Sequence, residues 1–176
     1  RQQKYGNITW PGKQAYYALS SGTTGKKSKR IPVSQQAIDN TKKVSYQVIK
    51  SLSNFDLKPT SYEKEVFMLG SSRDLKQHKH GFLEGEISGI NTSNLPDWFD
   101  IFYRPGKEIA SLNEWDDRVN AIVKEAKDWD IAVIAGIPSW VQLILKEIIA
   151  AHKLETIHDI WPNLELYISG GVPFEP

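Results

Sequence analysis

The sequence contains no cysteine, so disulfides, thiolate metal sites and a cysteine nucleophile are excluded. That usage fits a reducing compartment, and a cytoplasmic location is the expectation. Charge of either sign is not in excess: 22 Lys and Arg face 21 Asp and Glu, a formal net charge of +1. A near-neutral chain offers no global attraction for nucleic acid or an anionic membrane, and neither is expected as a partner. No apolar run approaches the roughly 20 residues needed to span a bilayer. The opening stretch, Arg1 to Gly6, lacks the apolar core of a signal peptide. The chain starts without methionine and stops at Val172–Pro176, just behind a Gly-Gly turn, so it reads as a fragment of a longer protein.

What is present suffices for one compact unit spanning 1–176, with 40% apolar and 24% charged residues and no linker or repeat. Residues 14–19 are aromatic-rich and end at Ser20-Ser21-Gly22, which predicts a strand followed by a loop to Lys29. Arg30 to Val33 predicts a short return strand, and Pro32 places it at a sheet edge. Ser34 is a helix N-cap, and apolar residues from Ala37 to Leu52 recur at helical spacing. Val66 to Leu69 and Ile131 to Ala135 read as buried strands. Ser111-Leu112-Asn113-Glu114 has the form of a capping box, ahead of one apolar face made by Leu112, Trp115, Val119, Ile122, Val123 and Ala126. Pro138 suits the first turn of a helix over about 139–152, and Leu164 to Ile168 is the last strand. The order helix, strand, helix, strand predicts an α/β architecture: a mixed, largely parallel sheet flanked by helices. Residues 70–96 carry no clear period.

The chemistry lies in Ser20-Ser21-Gly22-Thr23-Thr24-Gly25-Lys26-Lys27-Ser28-Lys29. Gly22 and Gly25 can adopt positive φ cheaply. Successive N–H groups in such a turn form an anion nest. Hydroxyls rotate to meet phosphate oxygens, and a lysine supplies a mobile point charge. A Walker A loop needs four residues between its glycines and opens a helix; here two residues separate Gly22 from Gly25. The Gly-x-Gly-x-x-Gly dinucleotide turn is absent as well.

This string resembles the phosphate loop of the adenylate-forming superfamily. Thr-Thr-x-x-x-x-Lys followed by Ile-Pro-Val is most similar to the auxin-responsive promoter family of acyl-acid amido synthetases. That family commonly shows Thr-Thr-x-Gly-x-x-Lys; here Gly25 stands at the variable position and Lys26 replaces the glycine. Lys29 falls on the family lysine. Two later segments resemble the same enzymes. Ala135-Gly136-Ile137-Pro138-Ser139-Trp140 is similar to the strand–proline–helix unit beside the acyl pocket. Leu166–Pro173 is similar to the strand and Gly-rich turn that borders adenine.

The resemblance implies part of the large N-terminal domain of an adenylate-forming ligase. Its substrates would be ATP with Mg2+, a carboxylic acid, and an amine acceptor such as an amino acid. Ser21, Gly22, Thr23, Thr24 and Gly25 would hold the β- and γ-phosphates. Lys29 would be catalytic, neutralising developing charge. Ser169, Gly170 and Gly171 would let the chain pass close to the adenine of the nucleotide or to the acyl chain, and Pro138 and Trp140 would line the acyl pocket. The family's magnesium-binding acidic residue, ribose-binding aspartate and mobile C-terminal domain find no match in this sequence, so the fragment alone would be inactive.

Alternatives stay open: an acyl-CoA synthetase type of ligase, a non-catalytic nucleotide- or phosphate-binding α/β module, or a plain interaction domain. His78 and His80, near Asp74 and Glu84, lack a convincing third ligand and read as a polar surface loop, with no metal assigned. Ser71-Ser72-Arg73 could bind a carboxylate but also reads as an exposed loop.

Overall fold

A computed structural model describes residues 11–20 and 28–169. In chain order these form β1 (Tyr16–Leu19), β2 (Arg30–Val33), α1 (Gln35–Ser51), β3 (Glu65–Met68), β4 (Lys76–Gln77), β5 (Leu83–Gly85), α2 (Ile87–Ser93), β6 (Tyr103–Arg104), α3 (Gly106–Ala110), α4 (Trp115–Glu125), β7 (Ile131–Ala135), α5 (Pro138–His152) and β8 (Leu166–Ile168). The fold is α/β, as expected. Its strands form two four-stranded sheets instead of one.

Contacts cluster in two compact units. The first is Arg1–Leu52 with Ser71–Leu95, and the second is Ser53–Gly70 with Pro96–Pro176. A single unit was the expectation because no Gly/Pro/Ser-rich linker interrupts the sequence. The chain passes between the units at single peptide bonds, after Leu52, Gly70 and Leu95, so the division leaves no compositional trace.

In the first unit the strand order is β2-β1-β5-β4. β1 pairs antiparallel with β2 and parallel with β5. Pro32 lies on the edge strand β2, where a missing N–H costs least. Ser34 caps α1, its hydroxyl accepting from the Ala37 N–H at 3.1 Å. One face of the sheet closes on Ala18, Val33, Ile38 and Ile90, with Tyr16 and Leu75 packed against them. The apolar spacing of α1 predicts a buried stripe along its length. Only Ile38 is buried, and Val44, Val48 and Ile49 stay 41–56% exposed.

The unpatterned stretch 71–95 folds by side-chain bonds and close backbone approach. The Ser71 N–H donates to the Ser88 hydroxyl at 3.1 Å, and the Ser71 hydroxyl bonds Glu86. A Cβ on Gly89 would sit 2.2 Å from the Ser72 carbonyl oxygen, so only glycine fits there.

The second unit has strand order β6-β3-β7-β8, parallel throughout. β7 is paired on both edges, and Ile131, Ala132, Val133 and Ile134 are all buried. Such a strand must be apolar at every position, which is why it reads as a continuous run. Phe67 on β3 lies 6.0 Å from the Trp129 ring and 5.8 Å from Trp161. Trp161 is fully buried, and its indole N–H donates to the Ala126 carbonyl at 2.8 Å.

Ile122 and Ala126 are buried in this core, with Leu112, Trp115, Val119 and Val123 packed against it, as the apolar face predicted. The capping box does not form. Ser111 lies in the αR region and closes α3, its N–H bonding the Lys107 and Glu108 carbonyls. An N-cap needs extended backbone, and Glu114 supplies it one turn later.

The amino ends of the parallel strands are tied by ion pairs. Lys64 meets Asp130 at 2.5 Å, Arg104 pairs with Glu65, and Lys58 Nζ lies 2.9 Å from Glu165. The Ser61 hydroxyl (2.7 Å) and then Lys58 hold the Glu165 carboxyl down at about 2, from an ordinary 4.5. Because its folded pKa is the lower, its stabilisation is complete above pH 4.5 and fades as pH falls towards about 2. Glu165→Gln should therefore be less stable than wild type at neutral pH and should lose less on acidification through that window. Urea midpoints measured at successive pH values check this; equal acid slopes for the two proteins would contradict it.

Candidate functional site

The loop of interest is carried by a hairpin. β1 enters it and β2 leaves it, in a register that sets Leu19 opposite Arg30. Residues Ser21, Gly22, Thr23, Thr24 and Gly25 lie outside the described residues. The two ends of the loop are described, and they are tied together. The Ser20 N–H donates to the Lys29 carbonyl at 3.0 Å, and the Lys29 N–H donates to the Ser20 hydroxyl, also at 3.0 Å. Lys29 is exposed, and among the described residues no carboxylate pairs with it.

The next residue is fixed from the neighbouring strands. Arg30 Nε lies 2.6 Å from Glu84 Oε2, and Nη2 lies 3.4 Å from Oε1. This fork spans β1 to reach β5, and the Arg30 bond holds the Glu84 carboxyl below the usual carboxylate range. The hairpin end is thus tied across its strands, with an exposed cation at its exit, an arrangement suited to an anionic ligand.

The second unit presents a different edge. The β3, β7 and β8 carboxyl ends lie side by side: the Leu69 N–H bonds the Ala135 carbonyl at 3.0 Å, and the Gly136 N–H bonds the Ile168 carbonyl at 3.1 Å. Open parallel sheets bind ligands at this end. Ser169 follows β8 there and is exposed; Gly170 and Gly171 lie outside the described residues. A Cβ on Gly136 would come within 2.9 Å of Val141 and 3.3 Å of the Leu69 carbonyl, which accounts for glycine at the turn into α5.

Pro138 opens α5, as its fixed φ predicts. It lines a groove of about 760 Å3 with Ile134, Val141, Leu145, Leu166 and Tyr167. The Tyr167 hydroxyl donates to the Gly136 carbonyl at 2.9 Å, and burial pushes its pKa up. Trp140 lies elsewhere: its ring meets Trp115 of α4 at 5.1 Å and is absent from the groove lining.

The other candidates are absorbed by the fold. His78 stacks on Phe82 at 4.3 Å and on His80 at 5.1 Å, and burial lowers its pKa. Among the described residues no three His, Asp or Glu side chains converge to hold a metal. Ser71 spends its N–H and hydroxyl on Ser88 and Glu86.

The GH3 family N-terminal domain model matches residues 2–115. The chain belongs to the GH3 family. This is the auxin-responsive family that the loop resembles, and the matched stretch contains the loop. The fold agrees with two solved GH3 structures. One is a GH3.15 acyl acid amido synthetase (TM-score 0.59) and the other the AtGH3.15 acyl acid amido synthetase in complex with 2,4-DB (TM-score 0.56), each at 13% identity. Each match covers 80% of this chain and 24% of that one, so the chain spans about a quarter of the length of those enzymes. No curated protein matches by sequence. Among the described residues no helix is long and apolar enough to cross a membrane.

Sequence reasoning passed over Arg118. It is buried, and its guanidinium donates to the Gly70 carbonyl and the Leu112 carbonyl, both at 2.8 Å. It thereby ties the segment leaving β3 to the segment entering α4. The available signal was an arginine set among Trp115, Val119 and Ile122 on an apolar helical face. Arg118→Met keeps the stem but leaves two carbonyls without their donor. The expected cost is about 2–4 kcal/mol, read from chemical denaturation; a loss under about 0.5 kcal/mol would contradict the tie.

Proposed function

We propose that this GH3 chain supplies the phosphate-holding part of an enzyme that activates a carboxylic acid with ATP and passes the acyl group to an amine. The observation that carries this reading is the hairpin with its base shut at Ser20 and Lys29, in a GH3 chain whose loop has the phosphate-nest composition. The solved relatives are named acyl acid amido synthetases, which supports an amide product over a thioester. The activity is assigned to the full-length protein.

In the first step a carboxylate oxygen attacks the α-phosphorus of ATP. The bond from that phosphorus to the bridging oxygen breaks, and pyrophosphate leaves. In the second step an amine nitrogen attacks the acyl carbon, the bond to AMP breaks, and the nitrogen gives up a proton. The backbone nest and hydroxyls of Ser21 to Gly25 would grip the β- and γ-phosphates. The Lys29 ammonium would sit where negative charge builds on the leaving pyrophosphate, and such prearranged charge is usually the largest catalytic term. ATP supplies the phosphoanhydride that drives the reaction. Magnesium would ride on the phosphates; no described residue is assigned to it. Ser169, Gly170 and Gly171 would border the nucleotide, as the resemblance implies. Pro138 would shape the acyl side; Trp140 is retained as a pocket candidate only through its place at the start of α5.

The test is product analysis. The full-length protein, with ATP, Mg2+, a panel of aryl, indole and fatty acids, and mixed amino acids, should yield an N-acyl amino acid and AMP by mass spectrometry. Lys29→Ala should cut that yield by about a hundredfold or more while leaving the melting temperature near wild type, because Lys29 is exposed. Equal yields from equally folded proteins would remove Lys29 from the mechanism. A thioester formed only with a thiol acceptor would replace amidation with the acyl-CoA type of ligase.

A further inference from the structure

We infer that Ser20 is a positioning residue for Lys29, a role that rests on the adenylation reading above. Facing residues in an antiparallel pair can exchange N–H···O=C bonds in both directions. Leu19 faces Arg30, so Ser20 and Lys29 form the next step of the ladder. One bond follows the rule: the Ser20 N–H donates to the Lys29 carbonyl at 3.0 Å. The return bond does not. The Lys29 N–H donates to the Ser20 hydroxyl, at 3.0 Å. A side-chain oxygen has taken the part of a main-chain carbonyl.

The substitution has a geometric consequence. The main chain of β1 can turn out of the sheet at Ser20 while the lysine main chain stays tied to it. On the other side Arg30 is held by Glu84 through a two-point ion pair at 2.6 and 3.4 Å. Lys29 is therefore bracketed, by the Ser20 hydroxyl on its own N–H and by Glu84 through the following residue. Its main chain is tied on both sides, which leaves only the side-chain torsions to order when the ammonium meets a ligand. Tying the lysine main chain before ligand arrives removes part of the ordering cost from binding and from the transition state. Ser20 touches no reacting atom in this scheme; it acts through Lys29.

The hydroxyl is the operative group, so the conservative variant discriminates. In the full-length protein, Ser20→Ala should raise both the Kd and the KM for ATP by about fivefold, the worth of one net hydrogen bond. The KM for the acid should hold, because Lys29 meets the phosphates. Ser20→Thr keeps the hydroxyl and should stay within about twofold of wild type. ATP binding is read by calorimetry and the kinetic constants by pyrophosphate release, with folded fractions matched by circular dichroism. Unchanged ATP constants in Ser20→Ala, beside an active wild type, would overturn the positioning role and leave the adenylation reading standing. Equal losses in the Ala and Thr variants would mean a structural role and overturn it too. A wild type that neither binds ATP nor releases pyrophosphate with any acid would sink both.

Discussion

A strand hydrogen-bonded on both edges and buried on both faces has no freedom in composition, and β7 is the strand on which the second unit depends. Ile131 to Ile134 satisfy that constraint with apolar side chains on either face. β3 and β8 take their registers from it, and through them Gly70, Gly136 and Ser169 arrive at one edge. In the first unit β1 plays the matching part, paired to β2 on one side and β5 on the other. The place of Lys29 follows from where β1 ends.

The two units hold their ends by different means. The second uses charge at the amino ends of its strands, where Glu165, Asp130 and Glu65 receive Lys58, Lys64 and Arg104. At the other end Arg118 meets main-chain carbonyls with a buried guanidinium. The first unit has the Arg30–Glu84 ion pair and, beside it, small residues: Ser20, Ser71, Ser88 and Gly89 bring backbone to backbone or hydroxyl to N–H. Small residues leave room for a ligand to approach, and the loop composition continues that theme from Ser21 to Gly25.

Features with a local physical signature were legible in the sequence. β7 showed as a run of apolar residues, α5 through Pro138, α1 through Ser34, and the edge strand through Pro32. The GH3 family was legible in the spacing from Thr23 to Lys29 and in Ile31-Pro32-Val33. Features that depend on distant partners were not. Ser111 matches a capping box on paper, yet its backbone already belongs to the end of α3. Trp161 sits in a loop, so no period marks it as the fully buried neighbour of Phe67. The division into two units leaves no linker to read, because the chain crosses at single bonds. Nothing in the loop string sets Ser20 apart, because its bond to the Lys29 N–H depends on the strand register.

The proposed acyl-adenylate chemistry of the full-length protein is tested most directly by isotope exchange in the absence of any acceptor. With ATP, Mg2+ and labelled pyrophosphate, the full-length protein should move label into ATP only when its acid is present, because attack at the α-phosphorus is reversible. Acid-dependent release of ADP and phosphate, with no label entering ATP, would place the attack on the γ-phosphorus and contradict the account.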